Sequence, residues 1–165
     1  MTWTNWHQPR QMQYTENDEV QYGKYTRGVL ATLNPIWGVS ESKGSGDPTI
    51  RFQEPTAIIF SDFGFDLEGV TVENVELELH VQRLARIQDK EIALWTGTGT
   101  LKNMADPGSP DVSRYILPQE PNPGEPAVPV DWDNWGVLVD LQPHQQTPSS
   151  NIAVIRSVKV RLDLV

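Results

Sequence analysis

Asp131, Trp132, Asp133, Asn134 and Trp135 form the most chemically suggestive run in the chain. Oxygen donors at alternate positions suit a hard cation, and two nearby indoles can stack on sugar rings or on a protein partner. The distal glutamate of a full calcium loop is missing, so the spacing stops short of that motif. Glu76 and Glu78 offer a second possibility. On an extended chain they share one face about 6–7 Å apart, which superficially suits the paired carboxylates of glycoside hydrolysis. An acid and a base need environments that drive their pKa values apart, however, and these two look alike. A charged row on the wet face of a half-buried strand accounts for them.

His7, His80 and His144 have no partner at metal-ligand spacing. There is no G-x-S-x-G, no phosphate-cradling Gly-rich loop before a helix and no H-E-x-x-H, so triad, nucleotide and zinc-hydrolase readings all fail. Thr96-Gly97-Thr98-Gly99 is turn vocabulary. The reading is a chain that is not an enzyme, with no catalytic residues, no cofactor and no metal.

The elements around these residues are written as strands. Val75, Leu77, Leu79 and Val81 fall on one face of an extended run while Glu76, Glu78 and His80 fall on the other. Val158, Val160, Leu162 and Leu164 alternate in the same way with Ser157, Lys159, Arg161 and Asp163. Ala57 to Phe65, Asp89 to Gly99 and Asn134 to Leu141 add further strand-like runs, with a short one at Tyr115 to Leu117. Thirteen prolines and twelve glycines punctuate the chain at intervals too short for long helices, so the fold expected is all-β. Gln82 to Asp89 reads as a long hairpin tip, Ala105 to Pro110 as a turn cluster and Ser40 to Pro48 as a surface loop. Val29 to Leu33 reads as a first strand ended by Asn34-Pro35, and Ile50 to Phe52 as a return to strand.

A length of 165 residues with 38% apolar content supports one core rather than two. A formal charge of −9 without a Lys/Arg cluster leaves no footprint for a phosphate backbone, so direct nucleic-acid binding is not expected. No membrane segment is expected either, because the amino end is polar and aromatic and no 18-residue apolar run occurs. With no cysteine, disulfides and thiolate sites are excluded, and the reading is a soluble protein made in a cytoplasm.

Two regions stand apart in composition. Residues 1–50 carry Trp3, Trp6, Tyr14, Tyr22 and Tyr25 among polar residues with little aliphatic content, and read as an aromatic arm plus the first strand. Such a segment must lean on another surface, either its own sandwich or a neighbour. Within the sandwich domain, residues 51–165, an excursion over 118–131 holds Pro118, Pro121, Pro123, Pro126 and Pro129 and is stiff and irregular.

The order of elements from Thr56 to Val165 resembles the jelly-roll-like β-sandwich domain of tailed-bacteriophage virion proteins. The resemblance rests on Phe63-Gly64-Phe65, on Val70-Thr71-Val72 leading to Val75-Glu76-Leu77-Glu78-Leu79, on Asp89 through Leu94, on Trp135-Gly136-Val137 and on Val158 to Leu164. The chain departs from the pattern in its fused NWGV, its proline-rich excursion and its amino-terminal fifty residues. The resemblance implies a single antiparallel β-sandwich with an extended amino-terminal arm, acting in the virion as a non-enzymatic structural subunit. Its partners would be other virion proteins and copies of itself, in the tail (neck, baseplate or fibre attachment) or, second, as head decoration. The competing reading is a glycan-binding or receptor-binding module. In either case Trp3, Trp6, Tyr14, Trp132 and Trp135 are the candidate interface or glycan contacts.

Overall fold

The computed structural model describes the backbone of residues 2–16, 19–24, 29–34, 36–38, 41–42, 49–50, 57–83, 87–105, 110–143 and 151–165, and the side chains of 2–13, 57–81, 89, 91–105, 110–141 and 155–165. The expected loop over Ser40 to Pro48 (but for the strand residues Glu41 and Ser42), the hairpin tip at 84–86, the turn at 106–109, His144 and the Tyr14 side chain lie outside these residues.

The strands in chain order are β1 (Thr2–Trp3), β2 (Gln11–Glu16), β3 (Glu19–Lys24), β4 (Val29–Asn34), β5 (Ile36–Gly38), β6 (Glu41–Ser42), β7 (Thr49–Ile50), β8 (Ile58–Ser61), β9 (Val72–Arg83), β10 (Ile87–Trp95), β11 (Val112–Ile116), β12 (Gly136–Pro143) and β13 (Asn151–Leu164). One sheet has the order β11-β9-β13-β4-β5, with β1 also on β13; the other has the order β10-β12-β8-β2-β3; β6 and β7 pair only with each other. Every pairing is antiparallel. The protein is an all-β sandwich of two antiparallel sheets, as expected. From β8 to β13 successive strands alternate between the two sheets, so the ladders join segments far apart in sequence.

β9 and β13 pair from Ala153 opposite Arg83 to Leu164 opposite Val72 and supply the centre of the core. The alternation in their sequences dictates which residues face inward. Val75, Leu77, Leu79 and Val81 on β9 and Val158, Val160 and Leu162 on β13 are fully buried, with Leu164 packed against them at the margin. The facing layer is Ile58 and Phe60 of β8, Ile92 and Leu94 of β10, and Val137, Val139 and Leu141 of β12.

Some boundaries differ from the sequence expectation. The run from Ala57 to Phe65 stops being strand at Ser61, because Asp62 and Gly64 take positive φ of 58° and 75° and turn the chain. The run from Asp89 ends at Trp95, where the Thr96 hydroxyl accepts hydrogen bonds from the Thr98 and Gly99 amides and closes the expected turn. The amino-terminal segment takes the first of its two expected surfaces: β2 lies inside its sheet between β8 and β3, Met12 is fully buried, and β1 extends the opposite sheet, so the segment joins its own sandwich through residues 2–3 and 11–16. The physical reason is that this segment borrows the core it cannot build alone.

Gly136 of the expected Trp-Gly pair opens β12 against Ser61, and a Cβ there would collide with the carbonyl oxygen of Phe60. Gly136→Ala is expected to lower stability by about 1–3 kcal/mol through overpacking, read as a shift of the urea midpoint. Leu79→Asp or Val160→Asp is expected to abolish folding, since an unpaired charge in this core costs several kcal/mol against a margin of about 5–15; the far-ultraviolet circular dichroism of the two variants checks this.

Candidate functional site

The outer face of β9 and β13 carries the polar members of the alternation, and the register places Glu76 opposite Arg161 and Glu78 opposite Lys159. On the other side of β9, Arg114 of β11 stands opposite Glu78. Arg161 donates from Nε (3.2 Å) and Nη2 (3.0 Å) to Glu76 Oε2. Arg114 donates from Nε (3.0 Å) to Glu78 Oε2, with its Nη2 2.9 Å from the same oxygen. The two carboxylates suspected of acid–base work are therefore each committed to an arginine. Their spacing follows from the strand pleat.

Trp3 and Trp6 lie over this face. The Arg161 guanidinium is 4.6 Å from the Trp3 ring centroid and 4.7 Å from that of Trp6, and Arg114 is 5.9 Å from the Trp6 centroid. Backbone bonds hold the segment along β13: Thr4 N–H donates to Leu162 O (2.8 Å), His7 and Val160 exchange bonds of 2.8 and 2.9 Å, and the Leu162 amide donates to the Thr4 hydroxyl (3.0 Å). This cover makes the outer face drier than expected, with Glu76, Ser157 and Asp163 all buried. Asp163, the cross-strand neighbour of Trp3, accepts from Asn74 Nδ2 through Oδ2 (3.0 Å), while its Oδ1 has no hydrogen-bond partner among the described residues. Half-burying an indole is worth about 2–3 kcal/mol, whereas a partly exposed ion pair contributes about 0–1. Apolar docking therefore supplies the energy, and the arginines determine where the rings sit.

The other two tryptophans belong to a second aromatic group. Trp135 is 6% exposed and stacks on Phe63 at 5.2 Å and Phe65 at 6.3 Å, and half-buried Trp132 meets it edge-on at 5.4 Å. His7 stacks on Phe65 at 3.9 Å, and its Nδ1 donates to Phe63 O at 2.8 Å. The structure thus brings Trp3 together with Trp6 and Trp132 together with Trp135, and it makes Trp135 a core residue rather than a contact for sugar or partner. Asp131 closes the intervening turn: its carboxylate accepts from the Asp133 amide (3.0 Å) and the Asn134 side-chain amide (2.8 Å). Those bonds, the Asn134 one first, hold its carboxyl below the usual carboxylate range. No group of three metal-ligating side chains is assembled among the described residues.

Sequence reasoning missed the partners of the tryptophans. Arg161 reads only as a polar position on a strand, and Arg114 falls outside the expected short strand, until β9 is known to lie between β11 and β13. It also missed Asp89, a buried carboxylate of β10 that accepts hydrogen bonds across the sandwich from Tyr115 (2.5 Å) and Ser113 (3.4 Å) of β11. Nothing local marked it, since Asp89 is followed by Lys90 and Glu91 and reads as part of a charged start to the strand. No protein-family model matches the chain, and neither does any curated protein or solved structure.

A double-mutant cycle on Trp6→Ala and Arg161→Ala is expected to give a coupling of about 0.5–2 kcal/mol, measured by urea unfolding. Deleting residues 1–7 is expected to lower the melting temperature markedly, not to leave an intact sandwich, because it uncovers Asp163 and frees the β13 amides. The lowered folded-state pKa of Asp131 means that its contribution is present above the unfolded pKa and is lost as pH falls through the folded one. Melting curves over acid pH should accordingly be flatter for Asp131→Asn than for the unaltered chain.

Proposed function

We propose that the chain is a non-enzymatic structural subunit of a tailed-bacteriophage particle, placed in the tail at the neck, baseplate or fibre attachment, and acting through protein–protein interfaces with other virion proteins and with copies of itself. The observation that carries the assembly reading is how the apolar surface is distributed. Trp3 and Trp6 lie on arginines and Trp132 and Trp135 lie on each other, whereas Val112 and Ile116 stand exposed on the edge strand β11. A sugar platform needs a free indole face, and a scaffold needs a surface for a neighbour. The distribution favours the second over a glycan-binding module.

The phage assignment is supported by the resemblance of the strand motifs, now joined by their arrangement. β4-β13-β9-β11 faces β8-β12-β10, and Thr100 and Met104 bridge to β10 at its open side. Alternation of successive strands between two facing sheets is the pattern a jelly roll would have, and it supports that reading of the sandwich. The exposed proline-rich excursion leaves the end of β11 and is tied down where Gln119 donates to Glu73 O and Lys102 pairs with Glu120. It offers a stiff second contact beside the exposed edge.

Mass spectrometry of purified particles encoded with this chain tests the proposal. Recovery at a fixed copy number is the expected result, and absence from particles that are complete and infective overturns it. Purified protein is expected to leave polysaccharide and peptidoglycan intact; turnover abolished by Glu78→Gln would reverse the non-enzymatic reading.

A further inference from the structure

We propose that the open edge of β11 docks an extended segment of another protein as an added antiparallel strand, whose residues on the face shared with Val112, Arg114 and Ile116 read apolar, acidic, apolar. The inference deepens the assembly reading above and rests on it only for which protein supplies the strand. The Asp111 carbonyl accepts from Val81 N–H (2.8 Å) and Leu117 N–H donates to the Val75 carbonyl (2.9 Å), with Ser113 opposite Leu79 and Tyr115 opposite Leu77. Bonded positions alternate along an antiparallel ladder, so the amides and carbonyls of Val112, Arg114 and Ile116 point away from β9. Among the described residues no strand lies on that side.

The contrast with the end of the other sheet is informative. There β10 is covered: Ile92 and Met104 exchange backbone bonds of 2.9 and 2.7 Å, and Leu101 N–H donates to Leu94 O at 3.0 Å. Natural edges are usually blunted by lysine, proline or a bulge. From Val112 to Ile116 β11 has none of these; its one charged side chain, Arg114, is already paired with Glu78, and Pro110 and Pro118 bracket the strand. The strand is also held in place beforehand, since Ser113 and Tyr115 are tied to Asp89 and Arg114 to Glu78, so little order is lost on docking.

The side chains choose the occupant. Val112 and Ile116 are each 48% exposed, and the Arg114 side chain between them is 62% exposed. A second copy pairing β11 with β11 in the register that matches Val112 to Ile116 sets Arg114 directly opposite its equivalent, which is unfavourable. Shifting that register by two residues places an apolar side chain against each arginine instead. An acidic residue opposite Arg114, flanked by apolar residues at alternate positions, satisfies all three sites at once.

The probe is a capped synthetic peptide, Thr-Val-Thr-Glu-Thr-Ile-Thr, titrated into isotope-labelled full-length protein and followed by amide hydrogen exchange. At saturation the Val112, Arg114 and Ile116 amides are expected to exchange at least about tenfold more slowly. The same peptide with Lys in place of Glu should bind about tenfold more weakly, with the preference reversed in Arg114→Glu. Val112→Pro, which removes an outward donor while leaving the bonds to β9 intact, should lose binding at an unchanged melting temperature. Unchanged exchange at the three amides, or equal affinity for both peptides, overturns the proposal; so does a doubled mass in sedimentation that the peptide does not reverse, which gives the edge to a second copy. Normal incorporation of Val112→Pro into particles overturns strand addition and leaves the assembly reading standing, whereas peptide capture by a chain absent from particles does the reverse.

Discussion

The structure depends on one pairing, that of β9 with β13. These two long strands bring residues 72–83 against residues 151–164, and their inward rows of valine and leucine form the layer on which the opposite sheet packs. Forming it requires closing a long loop before the contacts that reward closure exist, which is why such a fold is built from non-local ladders and assembles slowly. Once it is formed, each flank of the pair offers a bonding edge: β11 joins along β9, while β4 and the amino-terminal residues share β13 end to end.

That sharing explains the composition of the amino-terminal segment. A chain with few aliphatic residues cannot hold itself together, but its indoles can cover a face that already exists. Trp3 and Trp6 settle over the Arg161–Glu76 pair on the outer face, His7 turns toward Phe63 and Phe65, and Met12 enters the core with β2 in the second sheet. The first twelve residues therefore fasten the two sheets to each other. The ion pair is secondary in energy, yet it fixes geometry: a guanidinium held by a carboxylate presents its flat faces to aromatic rings at a defined place.

The two sheets treat their edges differently, and the proposed function rests on that difference. β10 is closed by its own chain, whereas β11 presents alternating apolar and basic side chains above a row of backbone groups that no strand among the described residues pairs. Burying Asp89 between the sheets fits this arrangement, since the carboxylate braces the inward side of the strand whose outward side is exposed. A rigid edge beside a stiff proline-rich segment is the kind of surface a subunit offers to a neighbour in an assembly, and we read it so.

The sequence by itself determined the class of fold and the inward rows. Two-residue periodicity in Val75 to Val81 and Val158 to Leu164 admits only a strand with one face buried, and a one-residue slip would reverse every side chain. It also determined the turn at Thr96 to Gly99 and the irregularity of the proline-rich excursion, because proline and glycine constrain the backbone locally. Only the tertiary structure decided what faces what. Nothing local distinguishes a tryptophan waiting for a sugar from one lying on an arginine 158 residues away, or shows that Trp135 is buried while Val112 and Ile116 are exposed. Those outcomes depend on which strands become neighbours, and with successive strands from β8 to β13 alternating between the two sheets, neighbours in space are seldom neighbours in sequence.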